Sequence, residues 1–266
     1  MIRKRQNHKI KSHFISLKIF VTLPFVTTDK RMKKIIIAST STLHGGTYLE
    51  YLTDTLKEHF KNCSTLLFIP YARPGGITHD EYTQKAAEFF EKLSIKVKGI
   101  HEFENPVTAV QNAEAIFTGG GNTFLLVTQL YQNKVIETVK TAVENGTPYL
   151  GTSAGSNICG LTMETTNDMP IIYPPSFDTL ALVPFNINPH YLDPVDGSTH
   201  MGETRETRIN EFHHFNPQPV LGLREGSWLE VKGSTITLRG KLDARLFRQN
   251  TPPEEIATGT DLSWLK

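Results

Sequence analysis

The segment Gly151-Thr152-Ser153-Ala154-Gly155 has the form G-x-S-x-G. It continues the short run Pro148–Gly151, which reads as a strand, and small, helix-compatible residues follow it. A serine so placed sits at a strand-to-helix elbow, in a strained backbone that only small neighbours permit. The helix that begins after Ser153 points free N–H groups and its dipole at the site, which favours negative charge. The N–H of Ala154 is then a natural oxyanion donor. The loop Gly119-Gly120-Gly121 is expected to supply a second, because a chain without side chains lets its backbone approach a substrate. The chemistry expected is acyl transfer to a serine hydroxyl. By itself the pentapeptide is a weak pattern, and its plain alternative is a helix start with Ser153 as the cap. The strand before it and the segment after it favour the nucleophile.

A serine hydroxyl needs a base, and the base needs a group to orient it. Of ten histidines, His8 and His13 lie in an N-terminal extension, and His213-His214 fall on an expected surface helix. His190 is different. In Asn188-Pro189-His190-Tyr191 it ends the apolar run Leu180–Ile187, which puts it at a strand terminus; its plain alternative is a loop histidine. Two carboxylates compete as the acid. Glu225 precedes Gly226 in a turn between two expected strands, and Asp168 lies in Thr166-Asn167-Asp168-Met169-Pro170. Asp168 would give the order Ser, acid, His common in α/β hydrolases, whereas Glu225 gives Ser, His, Glu. Residue pattern alone leaves both open.

These residues need elements to hold them. Lys34–Ser39, Thr65–Pro70, Lys96–Ile100, Ala115–Thr118 and Pro148–Gly151 read as short buried strands. Between them, helices are expected over Tyr48–Phe60, Asp80–Leu93, Pro106–Asn112, from Thr123, and over Val135–Asn145, the last ending at Gly146. Such alternation predicts an α/β fold, a mostly parallel sheet with helices on both faces. Ligands bind such sheets at the carboxyl ends of the strands, where both glycine-marked turns fall. After His190 the pattern shifts to a helix over Glu203–Phe215 and short strands at Val220–Leu223, Trp228–Val231, Thr235–Leu238 and Arg245–Arg248. No repeat or linker divides the chain, so one catalytic domain is expected over 32–250, followed by a tail over 251–266.

With 266 residues, 38% of them hydrophobic, the chain can bury a large core. Formal net charge is +1, but residues 1–34 carry ten basic groups and a single acid, leaving the remainder near −8. Such a body is a poor polyanion binder, so nucleic acid is not an expected partner. Cys63 and Cys159 have no metal-ligand spacing, so neither a metal nor a disulfide framework is expected, and a reducing, cytoplasmic setting fits. The apolar stretch Ile15–Val26 is broken by Lys18 and Pro24 and is too short to span a bilayer, so no membrane association is expected. Residues 1–31 read as a disordered extension or a start-site artefact with translation beginning at Met32. A targeting peptide is the alternative.

Beyond the pentapeptide, several unusual segments occur in order: Phe117-Thr118-Gly119-Gly120-Gly121-Asn122-Thr123-Phe124, then Gly151–Asn157, Thr165–Ile171, Ile187–Tyr191, Gly202–Glu206 and Glu225-Gly226-Ser227-Trp228. From about Met32 to Arg248 the chain resembles the peptidase E family, the α-aspartyl dipeptidases. That resemblance implies a fold of the class I glutamine amidotransferase type with serine at the elbow. It implies Ser153 as nucleophile, His190 as base and Glu225 as acid, and the oxyanion hole expected from the elbow and the glycine loop is formed by the N–H groups of Ala154 and Gly121. It also implies hydrolysis of dipeptides with N-terminal aspartate (Asp-X), with no cofactor. An aspartyl side chain needs a charged partner, and Arg205, in the matching Gly202–Glu206 segment, offers a bidentate fork. Asp168 is the expected acceptor for the substrate amine and Asn122 a further substrate contact. Thr152 stands where the family often has tryptophan, so a changed pocket wall is expected. The alternatives are a cyanophycinase-like hydrolase of β-aspartyl dipeptides and a non-catalytic protein that retains the pocket.

Overall fold

The structure is a computed structural model in which residues 32–194 and 202–265 are described. The N-terminal extension expected over residues 1–31 lies outside them.

In chain order the strands are β1 (Lys34–Ala38), β2 (Thr65–Ile69), β3 (Lys96–Gly99), β4 (Ile116–Thr118), β5 (Tyr149–Thr152), β6 (Asn186–Pro189), β7 (Val220–Leu223), β8 (Ser227–Lys232), β9 (Thr235–Gly240), β10 (Ala244–Arg248) and β11 (Thr251–Ile256). The helices are α1 (Thr53–His59), α2 (His79–Glu91), α3 (Pro106–Gln111), α4 (Thr123–Gln132), α5 (Ile136–Glu144), α6 (Ala154–Asn157) and α7 (Arg205–Phe212).

The main sheet runs β3-β2-β4-β5-β1-β8-β9. Its first five strands are parallel, and β8 and β9 extend it antiparallel. The unbroken apolar run of β1 has a direct cause: Ile35 and Ile37 pack on one face, Ile36 and Ala38 on the other. A strand covered on both faces has no solvent side to alternate with. Leu56, Phe60, Tyr82 and Phe90, from α1, α2 and their flanks, cover one face. Val110, Leu126, Leu130, Val139 and Val143, from α3, α4 and α5, cover the other. Thr78 and Glu81 form a capping box at the start of α2, and Asn122 caps α4 through its side-chain oxygen.

A second sheet runs β11-β10-β7-β6, with β6 parallel to β7 and β10 antiparallel to β7. Three expectations are corrected here. The segment expected as a tail over 251–266 holds β11, and Leu262 and Leu265 beyond it are buried in the main core. Pro252, Pro253, Glu254 and Glu255 disguise β11 in sequence. Proline is tolerated because β11 is an edge strand. The expected surface position of His213 is wrong: it closes α7, is only 7% exposed, and its Nε2 bonds the Gln218 carbonyl at 3.0 Å. Finally, Leu180–Phe185 is a buried loop and only the end of that apolar run forms β6.

Among the described residues no helix is long and apolar enough to cross a membrane.

Candidate active site

The elbow is built by backbone crowding. Ser153, between β5 and α6, has φ 55° and ψ −114°, a conformation that costs a non-glycine residue on the order of 1–3 kcal/mol. A β-carbon on Gly151 would lie 2.3 Å from the Gly155 carbonyl oxygen, and one on Gly155 would lie 2.1 Å from that of Thr118. Both outer glycines of the pentapeptide are therefore steric requirements. The Ser153 N–H bonds the Ala38 carbonyl at 3.2 Å. Asn157, at the end of α6, donates to the Ile187 carbonyl in β6 at 2.8 Å and so ties the elbow to the second sheet.

That sheet brings the partners. His190 follows β6 and Glu225 follows β7, and the strands pair in parallel up to Pro189 and Leu223. His190 Nε2 lies 2.9 Å from Ser153 Oγ, and its Nδ1 lies 2.6 Å from Glu225 Oε1. With Nδ1 protonated toward the carboxylate, Nε2 is left to accept the serine proton. His190 itself has φ 53°. Ser39, fully buried at the end of β1, accepts the His190 N–H at 2.9 Å and donates to the Leu223 carbonyl at 2.7 Å. Arg224, next to Glu225, is held bidentately by Asp193 at 2.7 Å and by Glu255 of β11 at 2.8 Å.

Asp168 does not meet the histidine. Its Oδ2 accepts from the Thr123 N–H and hydroxyl, both at 2.7 Å, and from Thr166 at 3.0 Å. Of the two candidate acids, Glu225 is the one placed behind His190.

The glycine loop lies against the elbow: a β-carbon on Gly120 would sit 2.8 Å from Ser153 Cβ. The Gly120 N–H is taken by the Tyr82 hydroxyl at 2.9 Å, and the Asn122 N–H by the Ala72 carbonyl at 2.7 Å. Between them, the Gly121 N–H has no acceptor among the described residues. Nor has that of Ala154, at the first position of α6. Two free N–H groups beside a hydroxyl activated by an imidazole can stabilise a tetrahedral oxyanion.

Asn122 is occupied twice: its Oδ1 caps α4 and its Nδ2 donates to the Met169 carbonyl at 2.9 Å. Arg205 opens α7 and is half-buried. Burial, then neighbouring Arg208, pulls its guanidinium below its ordinary pKa, and Asp168 opposes both. Arg205 thus stands within electrostatic reach of Asp168, at the start of α4. Among the described residues no carboxylate pairs with it within salt-bridge distance. Thr152 is fully buried, so it forms no open wall.

Ser39 and Tyr82 were not legible as site residues, and Asn157 entered only as the last residue of the matching segment Gly151–Asn157. The one available hint was position: Ser39 ends a parallel strand at its carboxyl end, where ligands bind.

Comparison with known proteins fits this geometry. The sequence model of peptidase family S51 matches residues 35–239, a span that ends before β10. The chain is 50% identical over 231 residues to peptidase E of Streptomyces coelicolor, covering 87% of this chain and 94% of that one. It is 45% identical over 236 residues to a Drosophila melanogaster protein described as "probable alpha-aspartyl dipeptidase", covering 88% and 97% respectively. The crystal structure of a peptidase from an acI-B1 Actinobacterium superposes with a TM-score of 0.67 at 14% identity, covering 88% of this chain and 98% of that one. The fold is of the class I glutamine amidotransferase-like type.

Proposed function

The chain belongs to peptidase family S51, and from that premise we propose that it is a serine dipeptidase cleaving Asp-X dipeptides through an acyl-enzyme on Ser153. The observation that carries the residue roles is the continuous hydrogen-bonded chain from Ser153 Oγ through His190 to Glu225, at 2.9 and 2.6 Å, on a strained elbow.

In this reading His190 Nε2 takes the Ser153 proton as Oγ attacks the aspartyl carbonyl carbon. The C–O bond forms as the carbonyl π pair moves to oxygen. The resulting oxyanion is held by the N–H groups of Ala154 and Gly121. Collapse expels the amine of residue X, which receives the proton from His190. Water, deprotonated by the same nitrogen, then frees aspartate. Glu225 keeps the imidazole in the required tautomer and stabilises its cation. Arg205 receives the substrate side-chain carboxylate. A half-buried guanidinium that no carboxylate among the described residues pairs is matched to an anionic ligand, and a neutral analogue would leave it without one. Asp168 Oδ1, the oxygen not used to brace Thr123, is offered to the substrate amine, and Asn122 acts by holding the loop at Met169. No step calls for a metal or cofactor. A cytoplasmic setting accords with the free Cys63 and Cys159.

The test is hydrolysis of Asp-Leu beside Glu-Leu, Asn-Leu and β-Asp-Leu, with Ser153→Ala as control. Cleavage of Asp-Leu alone, abolished in the variant, is expected. Preferential cleavage of β-Asp-Leu would move the protein to isoaspartyl chemistry, and cleavage of nothing would return it to a binding role.

A further inference from the structure

The oxyanion donor assigned to Gly121 is the N–H of the peptide whose carbonyl belongs to Gly120. In a trans peptide these two groups point in opposite directions. Glycine on both sides makes this unit unusually free to rotate, since each flanking residue has wide φ/ψ freedom. Something must fix which way its N–H faces.

Tyr82 stands at that point. Its side chain is only 1% exposed, and its hydroxyl lies 3.2 Å from the Gly120 carbonyl oxygen and 2.9 Å from the Gly120 nitrogen. The hydroxyl donates to the first and accepts from the second, so one oxygen grips both polar groups of one residue. The ring cannot drift, because it packs edge-on to Phe68, centroids 4.9 Å apart, and the Arg73 guanidinium sits 4.8 Å over its face. Tyr82 lies within α2, whose N-terminus is locked by the Thr78–Glu81 capping box.

We infer that Tyr82 is a positioning residue for catalysis: by holding the Gly120 carbonyl, it aims the Gly121 N–H at the oxyanion formed beside Ser153. This rests on the acyl-enzyme reading above. Donation to the carbonyl also polarises the peptide and makes its N–H a better donor. The effect belongs to the transition state, because the substrate carbonyl acquires its full charge only there. Loss of Tyr82 should therefore lower kcat and leave KM nearly untouched.

The experiment is Tyr82→Phe in the full chain, assayed on Asp-Leu, with Ser153→Ala and Tyr131→Phe beside it. Tyr131 lies on α4, on the opposite face of the sheet from Tyr82, and its hydroxyl donates to the Asp178 carbonyl at 3.2 Å. Tyr131→Phe therefore removes a phenol hydroxyl from the fold without touching the loop. Losing a whole oxyanion donor costs about 10²–10³-fold in kcat, so a mis-aimed one should cost about 10–100-fold. Expected for Tyr82→Phe is that loss, KM within about two-fold, and a matching loss of affinity for an aspartyl aldehyde, which forms the tetrahedral adduct. Tyr131→Phe should keep its kcat. If Tyr82→Phe turns over as fast as the wild type while Ser153→Ala is dead, Tyr82 has no such role and the dipeptidase reading stands. Tyr82 equally loses this role if both phenylalanine variants lose activity alike, or if aldehyde affinity is unchanged. If the wild type cleaves no Asp-X peptide, both readings fall together.

Discussion

Ser39 Oγ stands 2.9 Å from the backbone nitrogen of His190, although 151 positions separate the two residues. The same oxygen donates to Leu223 at 2.7 Å, so one buried hydroxyl joins the end of β1 to the ends of β6 and β7. Ser39→Ala would leave the His190 N–H without its acceptor, at about 1–3 kcal/mol, while the Leu223 carbonyl keeps the Tyr191 N–H at 3.2 Å. The variant should unfold at lower denaturant with an unchanged m-value, and kcat should fall because the turn that aims the imidazole loses its anchor. Urea titration beside kinetics on Asp-Leu checks both.

The proposed acid can be separated from the nucleophile. Glu225→Gln keeps the side-chain shape and removes the charge that favours the imidazolium. It should lower kcat by about 10²–10⁴-fold, while Ser153→Ala leaves only background turnover. A double variant no slower than Ser153→Ala alone would show that the two act as one unit. Additive losses would separate them.

Arg205 should govern selectivity more than rate. A charged hydrogen bond contributes about 1.5–3 kcal/mol, so Arg205→Met should lower kcat/KM for Asp-Leu about 10–100-fold and leave Asn-Leu as poor as before. Arg205→Lys should recover only part of the loss, because a point charge cannot reproduce the fork. Equal losses on both peptides would remove Arg205 from the aspartate pocket.

Gly120→Ala should stop the reaction without unfolding the chain. The added methyl would meet Ser153 Cβ at 2.8 Å and Oγ at 3.2 Å, so the nucleophile must shift, and overpacking of this kind costs about 1–3 kcal/mol. Expected are a native circular dichroism spectrum and a loss of kcat. Full activity would place the loop elsewhere during turnover.

His59 predicts a pH dependence of stability away from the site. Burial, partly offset by a 3.2 Å hydrogen bond to the Tyr149 carbonyl, pushes its pKa down to about 4 from an ordinary 6.5. Between those values the unfolded chain binds the proton that the folded chain refuses. The stabilising contribution is complete above about pH 6.5 and is lost as pH falls through about 4. One pKa unit is worth about 1.4 kcal/mol, so roughly 3 kcal/mol is at stake. Unfolding free energies from pH 7 to 4 should show this slope, and His59→Gln should flatten it.

What was legible in the sequence followed burial and glycine. The five parallel strands announced themselves because both their faces are covered, and Ser153 because its elbow admits only glycine at 151 and 155. His190 and Glu225 lie 35 residues apart. Nothing local joins them, since their meeting depends on the parallel pairing of β6 with β7, and only the family resemblance chose Glu225 over Asp168. Ser39 and Tyr82 were silent for the same reason: each is one polar residue whose role is created by the approach of a distant backbone. β11 was hidden by its prolines and glutamates, which suit an edge.

The nucleophile rides on one sheet, while its base and acid travel together on another. Activity is therefore a gauge of how the two sheets are docked. A modest slip between them, caused by heat, a little denaturant or loss of the final strand that steadies Arg224, would part Ser153 from His190 while each sheet kept its own hydrogen bonds. Such a molecule would look native to spectroscopy and be silent to substrate.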